Sequence, residues 1–143
     1  MAPRAEAVAG DETILVVEDV DAIRRMICAM LTHSGYNCLQ ASDGAEALRL
    51  LDEAVQVELV LTDIVMPNMN GSDLARHLAR TRPGLRIMFM SGYTDDPVVE
   101  TVGCNSPLFL PKPFTALDLT EKIRQTLDLP WSGLPNLRAG SSS

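Results

Sequence analysis

Thr13-Ile-Leu-Val-Val-Glu-Asp19 is a short apolar run that ends in two carboxylates. The run is continuous rather than alternating and too short for a helix. It therefore reads as a strand buried on both faces, which is the mark of a parallel sheet. Beyond it the period changes: Ile23, Met26, Ile27, Met30 and Leu31 recur at i, i+3, i+4, i+7 and i+8. That spacing makes one face of a helix, and Gly35 stops it.

The same alternation continues along the chain. Tyr36 to Ala41 predicts a second strand, and Asp43-Gly-Ala-Glu46 has the form of a capping box opening a helix with Ala47, Leu48 and Leu51 on one face. Leu59-Val-Leu-Thr62 predicts a third buried strand, ending at Asp63. Pro67 and Gly71 break the chain before a helix that carries Leu74 and Leu78. Leu85 to Met90 predicts a fourth strand, followed by Ser91-Gly92, and Leu108 to Leu110 a fifth, followed by Lys112. The fourth helix, near Asp95 to Val102, has the weakest pattern, because Pro97 and Gly103 crowd it. Thr115 can cap a last helix bearing Leu119, Ile123 and Leu127. Strands alternating with helices predict βαβ units, hence an α/β fold with a parallel sheet covered on both faces.

Composition agrees with that class. The 143 residues are 46% apolar, enough for one domain with its own core. Residues 12–129 hold the periodic pattern. Residues 1–11 read as a lead-in, and the stretch 130–143, rich in Pro, Gly and Ser, as a tail or linker. A net charge of −7 argues against nucleic acid or an anionic membrane as partner. No apolar run approaches the roughly 20 residues of a membrane span, and the N-terminus lacks a secretory signal's hydrophobic centre. Cys28, Cys38 and Cys104 are odd in number and form no CxxC, so they are expected as reduced thiols of a cytoplasmic protein. His33 and His77 could supplement them only as a sparse zinc set, and both are expected on the surface.

In a parallel α/β sheet, ligands bind outside the carboxyl ends of the strands. Glu18 and Asp19 end the first strand and Asp63 the third. Carboxylates held close repel one another unless a cation joins them. Hard oxygen ligands with open positions suit Mg²⁺, which keeps several waters and shares substrate phosphate. Ser91 offers a hydroxyl donor at the fourth strand end, Gly92 leaves room beside it, and Lys112 brings a mobile positive charge at the fifth.

Glu18-Asp19 after a Val-rich strand, Asp63 followed by Met66-Pro67 and Gly71, Ser91-Gly92, and Lys112-Pro113-Phe114 resemble the receiver (response-regulator) domains of two-component signalling. The resemblance spans roughly Glu12 to Leu129. It implies a flavodoxin-like (βα)5 three-layer sandwich with strand order 2-1-3-4-5. It further implies that Asp63 accepts a phosphoryl group from phosphohistidine, the donor being a histidine kinase or a histidine phosphotransfer domain. By the same resemblance Glu18, Asp19, Asp63 and the backbone carbonyl of Val65 hold Mg²⁺, and Lys112 and Ser91 engage the phosphoryl oxygens. Lys112-Pro113 matches the family's cis peptide. Ser91 and Phe109 match the switch pair, with output at the fourth helix, fifth strand and last helix. Val65 and Tyr93 stand where attacking water would pass and are expected to tune hydrolysis. The resemblance admits a homodimer and leaves the downstream partner open. Glu-Thr-Ile-Leu-Val-Val, Ser91-Gly-Tyr-Thr-Asp and Phe-Leu-Pro-Lys-Pro-Phe look most like receivers of hybrid sensor histidine kinases.

Two rivals share the fold class. An aspartyl-phosphate phosphatase needs a second Asp two residues beyond the nucleophile, where this chain has Val65. A flavin-binding module needs a phosphate-cradling loop after the first strand, where this chain has acids.

Overall fold

In a computed structural model, the protein is described over residues 12–53, 56–66, 70–92, 102–103, 106–131 and 133. Five parallel strands form one sheet: β1 (Thr13–Val17), β2 (Asn37–Ala41), β3 (Leu59–Asp63), β4 (Arg86–Ser91) and β5 (Phe109–Pro111). Their order is β2-β1-β3-β4-β5, the flavodoxin-like order. Among the described residues the helices are α1 (Asp21–His33), α2 (Gly44–Glu53), α3 (Gly71–Thr81) and α4 (Ala116–Asp128). The helix expected near Asp95 to Val102 lies outside the described residues except for Val102, which is buried.

The continuous apolar strands are buried as their lack of alternation requires. Ile14, Leu15, Val16 and Val17 of β1, and Leu59, Val60 and Leu61 of β3, are fully buried. Register places Val17 beside Thr62 and Thr62 beside Phe89, so the ends of β1, β3 and β4 lie side by side. Gly35 leaves α1 at φ 100°, a left-handed conformation that side chains resist. Thr115 caps α4 through a reciprocal pair with Asp118.

Three local expectations change. Met26 is half-exposed, and Cys28 is buried with Ile27 and Leu31, so the inward stripe of α1 is rotated toward Cys28. At α2, Asp43 caps the Glu46 amide at 2.8 Å, but the Glu46 carboxylate reaches back to the amide and hydroxyl of Ser42. These bonds hold the Glu46 carboxyl below its ordinary value. Cys28 and Cys38 are joined in a disulfide, with Cα atoms 5.8 Å apart, so two of the three cysteines are not thiols here. An odd count is silent about which cysteines a helix–strand contact brings together. Cys104 lies outside the described residues.

Candidate functional site

The end of β1 carries Glu18 and Asp19 into the turn before α1, and the end of β3 carries Asp63. Strand pairing turns these distant positions into neighbours: one carboxylate oxygen from each of the three lies within 4.8 Å of the others. Glu18 and Asp63 are buried, and Asp19 is exposed. Lys112, just beyond β5, donates to Glu18 Oε1 at 2.9 Å and lies 3.4 Å from Asp63 Oδ1. Its amide donates to the Ser91 carbonyl at 2.9 Å, and the Lys112–Pro113 peptide is cis.

Three acids face one ammonium, and the titration reflects the imbalance. Burial pushes the Asp63 carboxyl up to about 6; Lys112 opposes the rise, while Glu18 and Asp19 add to it. Burial draws the Lys112 ammonium down, but the Glu18 hydrogen bond and the Asp63 charge outweigh it, and the net shift is upward. The donor set is all oxygen, and one acid remains open to solvent. Hard oxygen ligands with room for water fit Mg²⁺. No other group of three such ligands occurs among the described residues.

Ser91 is the last residue of β4 and is buried, and Phe109 opens β5 with no exposed surface. Phe109 pairs in register with Phe89, and Ser91 with Pro111. The Val65 side chain is exposed. Tyr93 lies outside the described residues.

Two residues at the site were not singled out from the sequence for what they do. From the sequence, Gly71 reads only as a break in the chain before a helix. Its amide donates to the Ile64 carbonyl at 2.8 Å, and a Cβ there would overlap the Asp63 carbonyl oxygen. The glycine thus lets α3 close directly onto the end of β3. Gly92 is different, since a Cβ there would meet nothing within 4 Å. The second unnoticed residue is Arg24, which reaches back from α1 to the Glu18 carbonyl at 2.9 Å.

With sheet order and acidic cluster in place, the comparisons with known proteins converge. Residues 14–124 match the response regulator receiver domain family, and the chain belongs to that family. The response regulator receiver protein CpdR of Brucella abortus (strain 2308) is 37% identical over 117 residues, 80% of this chain and 95% of that protein. The sensor kinase CckA of the same organism is 35% identical over 127 residues, 87% of this chain. The chain spans only 13% of that kinase's length. A crystal structure of the receiver domain from the hybrid histidine kinase CckA superposes with a TM-score of 0.67 at 34% identity, covering 81% of this chain and 99% of that one.

The protein is therefore a phosphoacceptor receiver domain whose acidic cluster matches the Mg²⁺ site of phosphoaspartate receivers. Such a domain works as a switch that gains and loses a phosphoryl group. No described helix is long and apolar enough to cross a membrane.

Proposed function

We propose that Asp63 is the phosphoacceptor and that the observation carrying this role is its position: a buried carboxylate between two other acids and Lys112. An Asp63 carboxylate oxygen attacks the phosphorus of a phosphohistidine in line. The P–N bond breaks, its electron pair stays on the imidazole, and an acyl phosphate forms on Asp63. Phosphoryl transfer asks chiefly for positioning and charge compensation. Glu18, Asp19, Asp63 and the Val65 carbonyl would hold Mg²⁺, which would supply positive charge to offset that of the transferred group. Lys112 exchanges its contact with Asp63 for a phosphoryl oxygen, keeping Glu18 as its anchor. Ser91 donates its hydroxyl to a second phosphoryl oxygen.

The new charge and acceptor atoms draw Ser91 inward, and Phe109, two strand positions before Pro111 and fully buried, follows that movement. The output surface comprises segment 95–102, β5 and α4. Phe109 lacks the hydroxyl that would hold an outward rotamer. Val65 and Tyr93 set the path of hydrolytic water. Residues 12–129 form the receiver unit, 1–11 the lead-in and 130–143 the tail. The donor is a histidine kinase or histidine phosphotransfer domain in the cytoplasm. Similarity to the CckA receiver favours an origin within, or beside, a hybrid histidine kinase. Neither nucleic acid nor membrane is a direct partner.

Incubation with acetyl phosphate and Mg²⁺ tests the assignment. Labelling is expected in the parent protein, to be lost in Asp63→Asn, and suppressed by EDTA. Full labelling of Asp63→Asn would remove Asp63 from its role, and labelling undiminished by EDTA would remove the metal.

A further inference from the structure

Asp19 poses a positional problem. Glu18 is fixed from several sides: Oε1 accepts from Lys112 and Oε2 from the Val20 amide at 3.1 Å. The exposed Asp19 carboxylate accepts no hydrogen bond from any described residue, so its place in the cluster depends on the backbone that carries it. That backbone is held on both sides of the Glu18 Cα. The Glu18 amide donates to Ala41 of β2 at 3.1 Å, and the Glu18 carbonyl accepts Arg24 Nη1 at 2.9 Å.

Arg24 is itself braced. Its Nε donates to Gln40 of β2 at 3.1 Å and its Nη2 to Asp21 at 2.7 Å. Its side chain is only 13% exposed. One planar fork thus ties together the turn after β1, the first turn of α1 and the neighbouring strand. A lysine, with a single point of attachment, cannot reproduce that geometry. One turn further along α1, Cys28 is joined to Cys38, two residues before Gln40 on β2. The covalent and polar links are therefore successive rungs of one helix–strand contact.

We propose that Arg24 is a positioning residue for the metal centre, holding the Glu18–Asp19 peptide so that the Asp19 carboxylate faces Glu18 and Asp63. This rests on the Mg²⁺ reading of the cluster, and it makes a prediction whose sign separates position from charge. Arg24 is a cation beside an acidic pocket. By Coulomb's law alone, removing it should tighten Mg²⁺ binding. If it positions Asp19, removing it should weaken binding.

The test is calorimetric titration of the whole chain with Mg²⁺, alongside urea unfolding in EDTA. Arg24→Met keeps the apolar stem and loses the fork. We expect its Mg²⁺ dissociation constant to rise by about tenfold, the lower range for residues that orient metal ligands. Labelling by acetyl phosphate should recover toward the parent rate when Mg²⁺ is raised to saturation. Arg24→Lys keeps the charge without the fork, and its affinity should fall at least as far. An unchanged or tighter dissociation constant in Arg24→Met, or parent affinity in Arg24→Lys, overturns the proposal. If Arg24→Met does not fold, Arg24→Lys decides by the same criterion. A parent protein that binds no Mg²⁺ overturns both the functional reading and this one. Normal parent binding with unaffected variants overturns this one alone.

Discussion

The two ends of the sheet handle charge in opposite ways. At the carboxyl end, Glu18 and Asp63 share one ammonium, Lys112, with Asp19 beside them, and the pocket is short of positive charge. At the amino end, Arg124 of α4 bonds Glu12 and Asp128, each at 3.1 Å, next to the buried Tyr36. There Arg86 also donates to the Thr126 and Leu129 carbonyls at the end of α4, where Thr126 otherwise accepts the Leu129 amide at 3.2 Å. The carboxyl end carries the donor set for a cation, whereas the amino end pairs its charges within the chain. The difference separates residues kept for reaction from residues kept for folding.

Asp63→Asn should show the contrast most strongly. The folded Asp63 carboxyl, at about 6, sits above its ordinary 3.8. The folded state therefore resists ionising it, and metal-free stability should fall as pH rises from about 4 through about 6. The loss amounts to at most about 3 kcal/mol at neutral pH. Asparagine cannot ionise, and Lys112 keeps Glu18 as partner. Urea unfolding in EDTA at pH 7.5 should find Asp63→Asn more stable than the parent, and the gap should narrow toward pH 4. Excess Mg²⁺ should close it as well, by stabilising the parent through binding. A variant less stable than the parent at pH 7.5 would mean that the pocket is not short of positive charge.

Reduction of the Cys28–Cys38 bridge tests whether the two ends are independent. It closes a short loop, ten residues apart in sequence, and a loop of that length contributes about 2–3 kcal/mol in the chain-entropy view. Dithiothreitol should lower stability by that order. A cost that grows in the presence of Mg²⁺ would show that the bridge supports the metal centre through α1. An equal cost would place it on the folding side. In a reducing compartment the bridge would stay open, so activity assays should compare the reduced and the oxidised protein.

Gly71→Ala should cost about 1–3 kcal/mol, the usual range for overpacking, because the new methyl group would meet the Asp63 carbonyl. Gly92→Ala, with open space around it, should stay within about 0.5 kcal/mol. Equal costs measured by urea unfolding would refute the close approach of α3 to β3.

How much of this the sequence disclosed depends on what kind of contact holds each part. The strands were legible because burial on both faces writes a continuous apolar run, as in Ile14–Val17. The acids were legible because a parallel sheet collects its strand ends, so Glu18, Asp19, Asp63 and Lys112 could be grouped before any distance was known. The face of α1 was legible only in part: its period was right, but Cys28 rather than Met26 turns inward. Arg24 was hidden because its link to the site is through the Glu18 backbone carbonyl, which no residue type announces. Gly71 looked like punctuation because close approach and helix breaking use the same residue. The disulfide was hidden because a spacing of ten does not encode a helix crossing its neighbouring strand.

A modest effect is expected at the amino end. The Arg124 and Glu12 side chains are each about one-quarter exposed, whereas Asp128 is two-thirds exposed. The Asp128 pair therefore contributes little, as exposed pairs generally do. The Glu12 pair matters more, because Glu12 Oε1 is already buried without a hydrogen-bond partner among the described residues. Removing the guanidinium would leave both oxygens of that carboxylate poorly compensated. Burial pulls the Arg124 guanidinium down, but its hydrogen bonds to Glu12 and Asp128 prevail and hold its proton more firmly than usual. Arg124→Met should destabilise by about 1–2 kcal/mol in urea unfolding, and Glu12→Gln in the same background should recover part of that loss by removing the stranded charge. Mg²⁺ affinity and labelling of Asp63 should not move in either variant. A shift in Mg²⁺ affinity would show that the amino end reaches the pocket through β1, and the division between a reacting end and a folding end would fail.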